Sequence, residues 1–275
     1  MAKMSTSEKA LLSGNEALVH GAYEAGLSVA CAYPGTPSTE ILETLAQFPD
    51  VDVQWSVNEK VTFEVALGAA IAGARSLFAC KHVGLNVAMD PLMTSSYTGV
   101  QAGFVVVVCD DPGMHSSQNE QDTRWVALYA KVPMLEPSSP SEVKEFVKEA
   151  FKISERYDTP VIVRMTTRVS HTKENVTLGK REVPPRPEFE RNIPKYVMVP
   201  GNAYQRHILV EKRETSTACS IIRSDEIKHL NEIREKIRRE IENVLSIGVK
   251  VTLVEPKTIK RSEGKAQRIV DKRTV

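Results

Sequence analysis

Residues 103–109 read Gly-Phe-Val-Val-Val-Val-Cys. Side chains along a strand point alternately to opposite faces, and here neither face carries a polar residue after the glycine. Such a strand has to be covered on both sides, which is the situation at the centre of a parallel sheet clothed by helices. The flanking sequence supplies the helices. From Lys9 to Lys173 helical and strand patterns alternate. A helix is expected over 13–25, a strand over 27–33 that stops at Pro34-Gly35, a helix capped by Ser38 and running to Phe48, and a strand over 51–55. An Ala-rich helix with two glycines over 59–74 and a strand over 75–81 follow. Beyond the apolar run, 141–156 reads as an amphipathic helix and 160–165 (PVIVRM) as a closing strand. The fold class expected is α/β with a mostly parallel sheet, in which ligands bind outside the carboxyl ends of the strands.

The pattern changes after Lys173. Pro184, Pro185, Pro187, Pro194 and Pro200 suppress helix and favour an extended connector. A strand-like HILVEK follows at 207–212. Next comes a helix from about Asp225 to Leu245, with Ser224 as cap and Ile227, Leu230, Ile233, Ile237, Ile241 and Leu245 spaced three or four apart, and then a strand over 249–254. The organisation expected is a domain over 1–178, a Pro-rich linker over 179–206 and a small α+β unit over 207–275.

Charge excludes some partners. The 36 Lys and Arg nearly balance 35 Asp and Glu, so no global field draws the chain to nucleic acid or an anionic membrane. The opening MAKMSTSEKALLSG has no apolar signal core, and no apolar run approaches the ~20 residues of a membrane span; a cytoplasmic location is expected. Cys31, Cys80, Cys109 and Cys219 stand far apart, without the spacing that a structural zinc or an iron-sulfur cluster needs. The first three lie in apolar runs and are expected to be buried free thiols.

Each of the segments YPGTPS (33–38), SVNEK (56–60), KHVGLN (81–86) and DDPGMHSSQNEQDTR (110–124) follows an expected strand. Together they define a cleft at the sheet's carboxyl edge, with small residues that admit a ligand to the backbone and with Thr36, His82, Asn86, His115, Gln118 and Arg124 as its polar lining. Glu59 stands out because it opens an Ala-rich helix directly after a strand. Each residue also has a plainer reading. Glu59 is an acid favoured in a first helical turn, His82 and His115 are structural histidines, Gln118 and Asn119 are turn residues, and Arg124 is a surface ion-pair residue.

With AYPGTPSTEILETLA, WSVNEKVTFEVALGAAIAGARSL, KHVGLNVAMDPLMTSSYTG and DDPGMHSSQNEQDTRWVALYAKVPMLEPSS in that order, the chain resembles a known family over about residues 9–205. The family is the thiamine-diphosphate-dependent 2-oxoacid:ferredoxin oxidoreductases, the part is their pyrimidine-binding domain, and the closest wording is that of indolepyruvate oxidoreductase alpha subunits. The resemblance implies that Glu59 bonds the pyrimidine ring nitrogen of thiamine diphosphate and so sets the tautomer that activates the cofactor. It also implies that Gly35 and Thr36 contact substrate or cofactor, that His82, Gly84 and Asn86 line the pocket, and that Arg124 meets the substrate carboxylate. The reaction implied is oxidative decarboxylation of a 2-oxoacid, such as an aryl pyruvate, to an acyl-CoA, with ferredoxin as electron acceptor. The Gly-Asp-Gly motif that holds Mg²⁺ in the family's diphosphate-binding domain and its cluster cysteines do not occur. Mg²⁺ is therefore expected on a partner, the partners being a beta subunit and a diphosphate-binding or ferredoxin-like chain, in an oligomer.

The segment HLNEIREKIRREIENVLSIGVKVTLVEPKTIKRSEGKAQRIVDKR resembles the C-terminal end of phenylacetate-CoA ligases, in which the lysine matching Lys265 approaches the adenylate. A fusion near Arg206 is the expected origin. Three functions are thus carried forward: a truncated oxidoreductase subunit, a non-catalytic remnant that dimerises through the Ala/Gly face around Ala66–Ala74, and an accessory piece of an acyl-CoA ligase.

Overall fold

The computed structural model describes residues 8–223, with side chains through Arg213. Strand β1 (Lys9–Ser13) leads into helix α1 (Gly14–Glu24), followed by β2 (Val29–Ala32), α2 (Thr39–Leu45), β3 (Asp52–Trp55), α3 (Glu59–Ile71) and β4 (Ser76–Lys81). Helices α4 (His82–Val87) and α5 (Met89–Thr98) precede β5 (Phe104–Asp110), and α6 (Thr123–Ala130), β6 (Met134–Leu135), α7 (Pro140–Tyr157) and β7 (Val161–Thr166) come next. The described chain ends with α8 (Thr167–His171), β8 (Lys173–Thr177), α9 (Ile193–Tyr196) and α10 (Pro200–Arg223).

The main sheet has 6 strands in the order β3-β2-β4-β5-β7-β6, and every neighbouring pair is parallel. The apolar run of residues 103–109 lies where its composition requires: β5 is flanked on both sides and all its residues are buried. Val105, Val107 and Cys109 point into a core shared with Leu18 of α1, Ile41 of α2 and Phe151 of α7. Phe104, Val106 and Val108 point into the opposite core with Phe63 of α3, Leu92 of α5 and Ala127 of α6. Full burial of each such side chain stabilises the fold by about 1.5–3 kcal/mol relative to leaving it exposed. Phe63 joins helix to sheet by edge-on contacts with Phe78 and Phe104.

Local chemistry sets the helix starts. Ser13 and Glu16 form a reciprocal capping box, and Asn58, Asp122 and Ser139 cap α3, α6 and α7 through their side chains. Ser38 precedes α2 as expected but does not cap it. Its hydroxyl instead donates to Gly35 O at 2.7 Å and tightens the 33–38 turn.

Three features depart from the sequence expectations. β1 pairs antiparallel with β8 in a separate 2-stranded ribbon. The segment HILVEK is helical within α10, because no Gly or Pro interrupts the chain from Asn202 to Arg223; of Ile208, Leu209 and Val210 only Val210 is buried. α10 is tied to α5 by Arg206 Nε, which donates to Tyr97 O at 2.6 Å. The Pro-rich stretch is extended and docked only as far as residue 192; α9 carries Pro194 in its first turn and α10 begins at Pro200, because proline is tolerated in the first turn of a helix. The extended part crosses the amino edge of the sheet, where Glu182 N donates to Glu24 O at 2.7 Å and Gln101 Nε2 to Glu188 O at 3.1 Å.

Chain contacts group residues 1–217 as one compact unit and 218–275 as another. The helix expected over 225–245, the strand over 249–254 and Lys265 lie outside the described residues. Among the described residues no helix is long and apolar enough to cross a membrane.

Candidate functional site

The strand order fixes where a ligand can enter. From β2 the chain passes to β3 on one side, then returns to β4 on the other, and α2 and α3 lie on opposite faces of the sheet. The loops leaving β2 and β4 therefore diverge at a switch point, and the crevice between them lies at the carboxyl edge. Gly35 and Lys81 meet there: a Cβ on Gly35 would lie 3.2 Å from Lys81 Cδ, so the bare backbone of residue 35 makes room for the lysine stem.

Glu59 opens α3 at this edge. Asn58 Oδ1 accepts from Val61 N at 3.0 Å, which fixes the first turn and leaves Glu59 half-buried. Its carboxyl group rests on the backbone of Gly84 in α4, and a Cβ on Gly84 would lie 2.6 Å from Glu59 Oε1. Two of the expected site residues are thus brought into contact by the absence of a side chain at one of them.

The loop after β5 folds back over the crevice and is held by buried groups. His82 is 2 % exposed. Its Nδ1 accepts from Asp111 N at 3.3 Å and its Nε2 lies 3.0 Å from Asn119 O, which assigns the neutral ring with its proton on Nε2. Both nitrogens are spent within the protein, so His82 holds the loop. The Asp111 carboxylate accepts from Ser116 N and Ser117 Oγ, each at 2.8 Å, and from Thr167 Oγ1 at 3.0 Å. Burial alone would raise this acid, but those hydrogen bonds together outweigh it and hold Asp111 well below the usual carboxylate range. Lys81 Nζ donates to Ser116 O at 2.9 Å, and Ser116 Oγ to Thr36 O at 3.5 Å. One residue, Ser116, therefore stitches the loop after β5 to the loop after β2.

Asn86 is exposed at the end of α4. Arg124 lies in the first turn of α6, where its Nε bonds Asp122 Oδ1 at 2.9 Å and its Nη2 bonds Asp122 Oδ2 at 2.7 Å. Behind it, the buried Arg164 donates from Nε to Asp110 Oδ2 at 2.7 Å and also bonds Glu136, while Thr123 N donates to Asp110 Oδ2 at 3.1 Å. Cys31, Cys80 and Cys109 are buried free thiols; burial pushes Cys31 up to about 11 and Cys109 to about 12, which removes them as nucleophiles near neutral pH.

The structure therefore gathers Gly35, Thr36, Lys81 and His82 around Ser116, and Glu59 with Gly84. Sequence reasoning overlooked Lys81, Asp111 and Ser116. It also overlooked Asn15, buried in α1, whose Nδ2 donates to Pro37 O at 2.8 Å and braces the 33–38 loop from below. The doubled Asp110-Asp111 at the end of an apolar strand was the available signal, since two acids there need partners.

The sequence pattern of a family described as pyruvate flavodoxin/ferredoxin oxidoreductase, thiamine diphosphate-binding, matches residues 20–241. The match runs past the join expected near Arg206. Indolepyruvate oxidoreductase subunit IorA of Pyrococcus horikoshii is 52% identical over 210 residues, 72% of this chain and 32% of that protein. The subunit of the same name from Archaeoglobus fulgidus is 48% identical over 219 residues, 75% of this chain and 35% of that one. 2-Oxoglutarate synthase subunit KorA of Archaeoglobus fulgidus is 31% identical over 194 residues, covering 66% of this chain and 54% of that one. The chain thus spans about a third of the length of the indolepyruvate oxidoreductase subunits it matches. Among solved structures, 2-oxoglutarate:ferredoxin oxidoreductase from Magnetococcus marinus superposes with a TM-score of 0.66 at 18% identity, over 77% of this chain and 45% of that chain, which supports the fold.

Proposed function

The chain belongs to the pyruvate flavodoxin/ferredoxin oxidoreductase, thiamine diphosphate-binding family, and from that premise we propose that it supplies the pyrimidine side of a 2-oxoacid:ferredoxin oxidoreductase active site. The observation that carries the proposal is Glu59 at the carboxyl edge with its carboxyl group seated on the bare backbone of Gly84. A half-buried acid, fixed by the cap of its own helix and standing beside the switch point, is suited to bond one ring nitrogen of a flat heterocycle. When bound, thiamine diphosphate would supply the nucleophilic carbon and the electron sink for decarboxylation.

The chain's own residues then have separable tasks. Glu59 holds or releases a proton at the ring nitrogen. Gly35 and Gly84 give their side-chain space to Lys81 and Glu59 and so set both at the crevice, Thr36 presents its exposed side chain to the ligand, and the loop held by His82 and Asp111 shields one side from water. Asn86 stands at the rim. A role for Arg124 at the substrate carboxylate requires it to leave Asp122.

The second half of the site is assigned to a partner chain that holds Mg²⁺ and the diphosphate, with a beta subunit, ferredoxin, CoA and an aryl pyruvate completing the reaction. Trp125, Leu128 and Tyr129 of α6, all about two-thirds exposed at helical spacing, support such an association. The tail's likeness to ligases is a sequence resemblance alone; residues 207–241 also fall within the oxidoreductase family match, and no adenylation is assigned to the tail.

Calorimetric titration of the purified chain with thiamine diphosphate and Mg²⁺, alone and with the diphosphate-binding partner, tests the proposal. Binding and 2-oxoacid-dependent ferredoxin reduction are expected with the partner and lost in Glu59→Gln. Silence of the complex in every condition would leave a folded module without turnover.

A further inference from the structure

We propose that Lys81 is the cation that receives the carboxylate of the 2-oxoacid, an inference that rests on the oxidoreductase reading above and gives it a substrate contact on this chain. Lys81 is the last residue of β4 and so stands at the switch point itself. Its stem lies against Gly35, beside Thr36, and its Nζ donates to Ser116 O at 2.9 Å. An ammonium carries three N–H donors. One is spent on that neutral carbonyl, and the remaining donors meet no acceptor among the described residues. No carboxylate of the described residues lies within ion-pair distance of Nζ.

The neighbouring cations differ in this respect. Arg124 is matched by Asp122 at 2.7 Å, and Arg164 is matched by Asp110 at 2.7 Å and by Glu136. Lys81 thus brings an uncompensated positive charge to the crevice, held in place by Gly35 beneath it and Ser116 in front. A carboxylate satisfies it better than a second carbonyl would, because charge-assisted hydrogen bonds are roughly twice as strong as neutral ones. A phosphate offers the same charge, but the diphosphate end of the cofactor is assigned to the partner chain. Lys81 also reaches the loop after β5 through Ser116, so an anion that engages Nζ would be sensed by the segment covering the crevice.

The side-chain ammonium signals of ¹⁵N-lysine-labelled chain report this contact without turnover. The Lys81 signal, identified by its loss in Lys81→Met, should shift saturably with phenylpyruvate and stay in place with its methyl ester. A signal unmoved by the acid, or moved equally by the ester or by thiamine diphosphate, would overturn the inference. In the complex with the partner chain, Lys81→Met should raise KM for the 2-oxoacid at least about tenfold, the low end of what a hydrogen bond to a charged group is worth. The affinity for thiamine diphosphate should hold within twofold, and Lys81→Arg should recover most of the loss. Lys152→Met, on an exposed lysine paired with Glu149, should change nothing. A fall in cofactor affinity with KM unchanged would assign Lys81 to bracing Ser116 alone. A wild-type complex without turnover would count against the oxidoreductase reading, while the ammonium titration would still decide the carboxylate contact.

Discussion

The carboxyl group of Glu59 occupies the space in which a side chain at residue 84 would begin: a Cβ on Gly84 would lie 2.6 Å from Oε1, 2.8 Å from Cγ and 3.0 Å from Cδ. Gly84→Ala therefore displaces the acid without touching its chemistry. The obstructing atoms form the far end of a flexible side chain that is only half-buried, so the cost in stability is small. Gly14 is the contrast, since a Cβ there would lie 2.1 Å from Val169 O, a backbone atom that cannot swing away. Thermal melting should show a small shift for Gly84→Ala and a large one for Gly14→Ala. In the assembled enzyme Gly84→Ala should lower turnover by about 10²-fold, the scale of a 1 Å misplacement.

His82 holds the loop after β5 from both sides, and its replacement should loosen that loop before anything else. In His82→Phe the Asp111 N–H and the Asn119 carbonyl lose their partners. The Asp111 N–H is buried and costs about 1–3 kcal/mol when left unsatisfied, whereas the Asn119 carbonyl, on an exposed residue, turns to water. Amide hydrogen exchange should quicken across 111–119 while β4 and β5 keep their protection. Uniform acceleration along the whole chain would instead mean that the ring supports the core.

Asp111 predicts an acid-sensitive stability. Its folded-state acidity is stronger than that of an unfolded aspartate, so the unfolded chain binds more protons and stability rises with pH. The contribution is complete above the unfolded value of about 3.9 and is lost as pH falls from there toward the lower folded value. Asp111→Asn should flatten the pH dependence of the denaturation midpoint below about pH 4. An unchanged acid limb would assign the effect to other carboxylates whose folded values are also lowered, such as Asp122 and Glu142.

Most of the sheet was legible because burial on both faces leaves a plain mark: β5 has nowhere to lie but between covered neighbours. The loops were legible as positions, since turn residues follow each strand, and the choice of Glu59 needed only its place at a helix start. The partners of the loops were less so. Ser116 joins Asp111, Lys81 and Thr36 across separations of 5, 35 and 80 residues, and no local pattern encodes a backbone carbonyl as the acceptor for a lysine. HILVEK taken alone suits a strand as well as a helix, because a short apolar run fits either period; the length of chain around it without Gly or Pro favours the helix. The Pro-rich stretch is extended only to residue 192, since Pro194 and Pro200 sit in first turns of helices, and its docking left no mark because part of what holds it is bare backbone. Gly26 and Gly73, at φ 76° and 89°, would each place a Cβ 2.5 Å from a carbonyl of that stretch, Glu182 O and Pro187 O.

The buried pair of Arg164 and Asp110 anchors α6, and with it the end of the covering loop. Their side chains are 6% and 2% exposed, and Asp110 also receives Thr123 N at the first turn of the helix. Burying two charges is costly, and the pair repays that cost only while both members are present. Arg164→Met strands a buried carboxylate beneath α6, and Asp110→Asn leaves a guanidinium with the partly exposed Glu136 and, at 3.9 Å, Asp122 as its remaining partners. Either single change should cost about 3–5 kcal/mol in urea denaturation, and the double variant less than the sum. Because α6 starts with the Asp122–Arg124 pair, the single variants should also expose the loop to proteolysis near residues 113–121. Additive losses in the double variant would show that the two charges act independently and that α6 is held by its apolar contacts with the core.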